Sequence, residues 1–163
     1  MRNIFRVIIG FVGLIGLLFM VGCSKDSSCK AEPVEHDQAE LEAFNDSIGM
    51  NATRHSSGLY YEILAPGSGT RPLQESTVFV KYKGTLLDGT VFDQQTNPGA
   101  TGFQLISLID GWKIAIPMVG KGGRIRISVP SALGYGCQGA PNGKVPIPPN
   151  TPLYFEIDLV DFY

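Results

Sequence analysis

The chain has only two histidines, three cysteines and one tryptophan in 163 residues. Charge is also scarce: 17 % of residues are Asp, Glu, Lys or Arg, and they nearly cancel to a net −2. Each shortage removes a class of function. Without a basic excess there is no electrostatic footprint for nucleic acid. The histidines, His36 and His55, stand in the N-terminal segment without ligand-like spacing, so no metal site is expected. Ser128, Ser131 and these histidines make no hydrolase triad, and the Asp and Glu pairs follow no glycosidase pattern. Gly120–Gly123 (GKGG) lacks the remaining spacing of a phosphate loop and reads as a turn before a strand. No internal repeat occurs, and nothing points to a cofactor.

What is plentiful is apolar: hydrophobic residues make up 44 % of the chain, with 20 glycines and 11 prolines. Most of the glycine and proline falls after Pro66, which suggests one turn-rich, mainly β domain preceded by targeting sequence. Arg2 and Arg6 precede the apolar run Val7–Gly22, which leads into Cys23. A positive start, an apolar stretch and a small residue before the cut form the secretory pattern. Met20-Val21-Gly22-Cys23 resembles a bacterial lipobox. That resemblance implies a signal peptide over residues 1–22 and diacylglycerol on the Cys23 thiol; an uncleaved membrane anchor is the alternative. Several acyl chains on one cysteine would hold firmly, where one chain gives only marginal anchoring. Both readings place the body outside the cytoplasm and tether it to a membrane.

With Cys23 lipidated, Cys29 and Cys137 remain, either paired as a disulfide in an oxidising compartment or as free thiols. Cys137 follows Tyr135 closely, so a bridge would pin the tether near that loop. Residues 23–36 are polar and read as a flexible tether. In the extension over residues 37–57, Leu41, Phe44 and Ile48 share one face of a short helix. Asp37 is its expected cap, with Glu40 three residues on and Gly49 as the stop. A linker without structure is the other reading of this stretch.

From Gly58 onward the pattern changes to strands. Gly58–Leu64 is β-rich and closed by Pro66-Gly67-Ser68-Gly69. Thr77–Leu86 alternates, with Val78, Val80 and Tyr82 opposite Phe79, Lys81 and Lys83. Asp88-Gly89 supplies a hairpin turn, and Val91–Asp93 returns. Gly111–Ile116 has room for a short helix only, because Pro117 disfavours helical geometry at Ile116. Gly123–Pro130 alternates Ile125, Ile127 and Val129 with Arg124, Arg126 and Ser128, and Arg124 and Arg126, like Lys81 and Lys83, read as a solvated strand face. Leu153, Phe155, Ile157 and Leu159 line one side of a last strand. Five strand signals and one short helix predict an α+β fold, an antiparallel β-sheet curled around a short α-helix, with an extra N-terminal helix.

Four strings, VKYKGTLLDGTVFD, LIDGWKIAI, GKGGRIRISVPSALGYG and VPIPPNTPLYFEIDLV, taken in this order and spacing, resemble the FKBP-type peptidyl-prolyl cis-trans isomerases. The resemblance covers residues 58–163, and the helix and tether in front are similar to the membrane-tethered FKBP lipoproteins of Gram-negative bacteria. It implies a proline pocket with Tyr82, Phe92, Asp93 and Phe103 as one wall. Leu108 and Ile109 are its rim, Trp112 its floor, and Tyr135, Ile147 and Phe155 complete it. Phe92, Asp93, Trp112 and Tyr135 are the expected catalytic set, with the Ile109 backbone N–H as a further donor. Pro146 departs from the family pattern, at a loop position that is often aliphatic, and would stiffen that rim. Neither an inserted chaperone flap nor a His-rich metal tail is present.

The implied activity is isomerisation of X-Pro bonds in exported polypeptides at the bacterial cell envelope. Proline-containing clients are the expected partners, with macrolides of the FK506 or rapamycin type as inhibitors. A catalytically weak chaperone or scaffold of the same fold is the competing expectation, since a fold does not fix a function.

Overall fold

The computed structural model describes residues 29–97 and 102–163. The expected signal peptide over residues 1–22 and the expected lipidation site Cys23 lie outside the described residues. Along the chain come α1 (Gln38–Ser47), β1 (Thr53–Arg54), β2 (Tyr60–Ala65), β3 (Thr77–Leu86) and β4 (Val91–Gln95). After them follow β5 (Phe103–Gln104), α2 (Asp110–Ala115), β6 (Gly123–Val129) and β7 (Leu153–Phe162). The strands form one antiparallel sheet in the order β1-β2-β6-β7-β3-β4, with β5 also pairing with β3.

The central strands keep the predicted alternation. Val78 and Val80 of β3, Ile125, Ile127 and Val129 of β6, and Leu153, Phe155, Ile157 and Leu159 of β7 are all buried. They meet Trp112, Ala115 and Ile116 of the α2 segment in one core cluster. Register shifts in β2, β3 and β4 mark bulges. Bulges raise local twist, which lets the sheet curl around α2. The α+β expectation is met: an antiparallel sheet curled around the short helix α2, with a second short helix, α1, in front.

Four local expectations need correction. The sheet begins at β1, ahead of Gly58; two-residue strands such as β1 and β5 are too short for alternation to reveal. Asp37 does not cap α1: it sits in a preceding 3-10 turn with helical dihedrals and makes no cap bond. Its buried carboxylate instead accepts the Ser131 N–H at 2.6 Å. Ile116 keeps right-handed helical dihedrals despite Pro117, where the chain tightens into the 3-10 turn Ile116–Met118. A 3-10 turn tolerates proline in its first residues, where no N–H is needed.

The fourth correction concerns the convex face, which is only partly solvated because α1 packs on it. Leu41 is fully buried and Phe44 meets Tyr154 edge-on at 5.3 Å, whereas Ile48 remains exposed. Ser128 Oγ donates to Asn45 Oδ1 beneath the helix, which pairs these two buried oxygens, while Asn45 Nδ2 has no partner among the described residues. Gly49 stops the helix as expected, with φ of +61°. The Gly49 N–H bonds to the Asp46 carbonyl and the Met50 N–H to the Asn45 carbonyl, a Schellman closure. Beyond the helix the charges pair across strands. Arg126 binds Glu62, and Arg124 meets Asp158 at 3.3 Å. Such pairs set register more than they stabilise where exposed.

Candidate active site

A cavity of about 220 Å³ opens between the concave side of the sheet and the start of α2. Six strand or helix residues carry its aromatic and acidic lining: Tyr82 from β3, Phe92 and Asp93 from β4, Phe103 from β5, Trp112 from α2 and Phe155 from β7. Consecutive strand residues normally face opposite sides of a sheet. Phe92 and Asp93 both reach the cavity because β4 is bulged here. Gly84 pairs with Asp93 and Thr85 with Val91, leaving Phe92 as the extra residue. Re-aiming a side chain is what a bulge does beside a site.

Five rings form a continuous edge-to-face series. Phe103 meets Tyr82 at 6.3 Å, Tyr82 meets Trp112 at 5.0 Å, Trp112 meets Phe155 at 5.4 Å, and Phe155 meets Phe92 at 5.5 Å. Such pairs contribute about 0.5–1.5 kcal/mol each beyond their area burial. The series fixes the shape of the cup without any substrate present. Gly84 makes it possible. A Cβ at this position would lie 2.7 Å from both Phe155 Cε1 and Phe92 Cζ, so the missing side chain is the space these rings occupy.

Polar groups are few and placed at the margin. The Tyr82 hydroxyl donates to Asp93 Oδ2 at 2.6 Å. Burial first, then this bond, pushes the Tyr82 pKa far above the ordinary tyrosine range. Burial also raises the Tyr135 hydroxyl, helped by the Asp93 charge. Both phenols therefore stay protonated at neutral pH and remain donors. Tyr135 is half exposed at the mouth, and its hydroxyl makes no hydrogen bond to a described residue. The Ile109 N–H, at the start of α2, likewise finds no acceptor among the described residues. Trp112 is 5 % exposed, and its indole N–H is buried without a partner among the described residues. An unmet buried donor costs about 1–3 kcal/mol, so this one calls for a reason.

The structure thus gathers Tyr82, Phe92, Asp93, Phe103, Leu108, Ile109, Trp112, Tyr135 and Phe155 around one cavity. Ile147 is not among the lining residues. It is buried in the core cluster, and its backbone pairs with Ala140 to close the base of the Tyr135 loop. Ser107 lines the cavity and was not foreseen. It ends a 3-10 turn directly before Leu108, and a lone serine there carries no sequence signal. Cys29 and Cys137 are joined as a disulfide, with Cα atoms 5.4 Å apart. Among the described residues no cluster of His, Cys, Asp or Glu has the makings of a metal site.

Comparison with known proteins agrees with this geometry. The family model for FKBP-type peptidyl-prolyl cis-trans isomerase matches residues 69–160. The FKBP-type peptidyl-prolyl cis-trans isomerase FkpA of Escherichia coli (strain K12) is 40 % identical over 144 residues, covering 83 % of this chain and 51 % of its own. The outer membrane protein MIP of Legionella longbeachae is 40 % identical over 105 residues, or 64 % of this chain and 44 % of that protein. The crystal structure of a peptidyl-prolyl cis-trans isomerase from Pseudomonas syringae pv. tomato superimposes with a TM-score of 0.65 at 33 % identity, covering 82 % of this chain and 98 % of that one. The chain spans about half the length of the first of the curated relatives, 51 % for FkpA.

Proposed function

The chain belongs to the FKBP-type peptidyl-prolyl cis-trans isomerase family, and on that premise we propose that it accelerates rotation about X-Pro bonds in exported polypeptides. The observation that carries this is the five-ring cup, apolar inside, with neutral donors and one carboxylate at its edge. Rotation about a peptide bond faces a barrier of roughly 18–20 kcal/mol, because it breaks amide resonance. A million-fold acceleration needs about 8 kcal/mol of that removed. No nucleophile is required. The planar amide carries more negative charge on oxygen and positive charge on nitrogen than the twisted one, and water hydrogen bonds favour the planar form. A dry aromatic cup withdraws those bonds and so favours the twisted state. Trp112 supports the pyrrolidine ring, and Tyr82, Phe92 and Phe155 enclose it. The Tyr135 hydroxyl and the Ile109 N–H orient substrate carbonyls, so that binding of the flanking residues holds the twist.

Asp93 transfers no proton in this scheme. It anchors Tyr82 and polarises the cup edge. Asp93→Val is expected to lower kcat/KM about tenfold, and Tyr82→Phe about threefold, through loss of one oriented contact. The double variant should be no worse than Asp93→Val alone; multiplied losses would mean that the two groups act independently. The rate should also be flat between pH 7 and 9. Both phenols have pKa values raised above 10.0, so their donors persist below that pH and are lost only as pH rises beyond it. A bell-shaped profile across this interval would point to general acid-base chemistry instead.

A protease-coupled or NMR exchange assay on an X-Pro peptide tests the activity. A macrolide of the FK506 or rapamycin type should quench Trp112 fluorescence on filling the cup. Macrolide binding without acceleration would select the chaperone or scaffold reading.

We further propose lipid anchoring through Cys23 at the bacterial envelope. Support comes from the Met20–Cys23 pattern, from a disulfide of the kind kept in oxidising compartments, and from the outer-membrane name of the Legionella relative. Among the described residues no helix is long and apolar enough to cross a membrane, so attachment would fall to the N-terminus. Cys23→Ser should move the protein from the membrane to the soluble fraction. Unchanged fractionation would count against lipidation.

A further inference from the structure

Tyr135 stands on a loop that leaves β6 at Pro130 and runs through two 3-10 turns, Ser131–Leu133 and Gly136–Gln138. On both sides of Tyr135 this loop is fastened to the N-terminal segment, at Asp37 of the extension and at Cys29 of the stretch before it. On the near side the Ser131 N–H donates to Asp37 Oδ2 at 2.6 Å. Asp37 is 2 % exposed, and His36 Nδ1 lies 3.0 Å from its other oxygen. On the far side of Tyr135, Cys137, two residues on, is bonded to Cys29. The extension is itself fixed to the sheet. Leu41 is fully buried, Asn45 bonds Ser128 of β6, and Val34 packs where a side chain on Gly58 would stand. The loop is also held by a bond from the Gly139 N–H to the Tyr135 carbonyl, one from the Asn150 N–H to the Gly136 carbonyl, packing of Leu133 on the core, and the Ala140–Ile147 bridge below it.

We infer that the N-terminal extension is a brace for the Tyr135 loop, in which Asp37 and the Cys29–Cys137 disulfide act as positioning groups for the Tyr135 hydroxyl. This rests on the proposed role of Tyr135 in orienting substrate. A half-exposed tyrosine on a loop of 3-10 turns has few contacts of its own to hold it. Two attachments to one fixed body, on either side of the residue, restrict the loop more than one would. A one-ångström misplacement of an orienting group is costly in rate. Neither Cys29 nor Cys137 lines the cavity, so the disulfide is expected to act on the rate through the Tyr135 loop.

The experiment uses the full chain with Cys29→Ser and Cys137→Ser combined, and separately the unaltered protein treated with dithiothreitol. In the second case the dithiol closes to its own ring disulfide while Cys29 and Cys137 each gain a proton as thiols. Amide exchange is read over residues 132–138 and over β7. The brace predicts exchange about tenfold faster in the loop, with β7 unchanged, and recovery on reoxidation. It also predicts kcat/KM lowered about threefold to tenfold, mainly through KM, but less than about twofold when Tyr135→Phe is already present. Unchanged loop exchange, equal acceleration in β7, or the same loss in the Tyr135→Phe background would each overturn it. If the parent protein proves inactive on X-Pro peptides, the functional proposal fails, while the exchange comparison still decides whether the loop is braced.

Discussion

Trp112→Ala is expected to lower kcat/KM for an X-Pro peptide by about a hundredfold, equivalent to about 2.7 kcal/mol of lost transition-state stabilisation. The side chain stands between Tyr82 and Phe155 in the ring series, in edge contact with both. Its removal takes away the floor of the cup and unlocks two neighbours at once. Water then enters the space the indole filled and restores the hydrogen bonds that hold the amide planar. Stability also drops, by about 3–5 kcal/mol for a buried aromatic truncated to alanine. A domain with the usual 5–15 kcal/mol tolerates this, so circular dichroism should report a folded protein of lower Tm. Trp112→Phe separates the effects. It keeps an apolar ring and also removes the unpartnered indole N–H. Its loss of rate should stay within about tenfold, because a smaller ring still excludes most water. A folded Trp112→Ala variant with rates within threefold of the parent would mean that the cup floor is not where rotation occurs.

Gly84→Val sets two physical expectations against each other. Valine is among the best strand residues and glycine among the worst, so propensity alone predicts a more stable β3. The local geometry predicts the reverse. The first carbon of a side chain at Gly84 would lie 2.7 Å from Phe155 and from Phe92, well inside the roughly 3.5–4.0 Å of carbon contact. The rings must move outward, which breaks the Phe92–Phe155 pairing and narrows the cavity. Overpacking of this kind costs about 1–3 kcal/mol. The expected result is a lower Tm together with a loss of kcat/KM of about tenfold or more, and a shift in Trp112 emission. Gly84→Ala should move each quantity the same way by less. A rise in Tm with intact activity would show that the rings have free room to give.

Much of this architecture is legible in the amino-acid sequence itself. Period-two alternation identified the three long central strands, since Val78, Val80, Ile125, Ile127, Ile157 and Leu159 are buried on one side. The Asp88-Gly89 signal fixed the hairpin, and Gly89 has the positive φ such a turn requires. The resemblance supplied nine residues that the fold gathers around one cavity. What escaped the sequence has a common cause: it depends on pairings between distant segments. The burial of Ser128 and Tyr154 is decided by α1 lying across them, and no local pattern in β6 or β7 announces that helix. Asp37 has the composition of a helix cap, yet a backbone N–H far along the chain offers it a better partner. Ile147 is apolar beside a site loop, which fits a pocket wall and a core position equally well. The bulge at Phe92 is also invisible in the string Val91–Asp93, although it is what brings two adjacent residues to the same cavity.

The desolvating cup is tested most directly by NMR exchange spectroscopy on an X-Pro peptide, with the parent protein and Trp112→Ala compared at equal concentration. The account predicts cis-trans exchange accelerated far above the spontaneous rate by the parent. The folded variant should lose about a hundredfold of that acceleration. Exchange that stays at the spontaneous rate with the parent protein, or that the variant catalyses equally well, would contradict it.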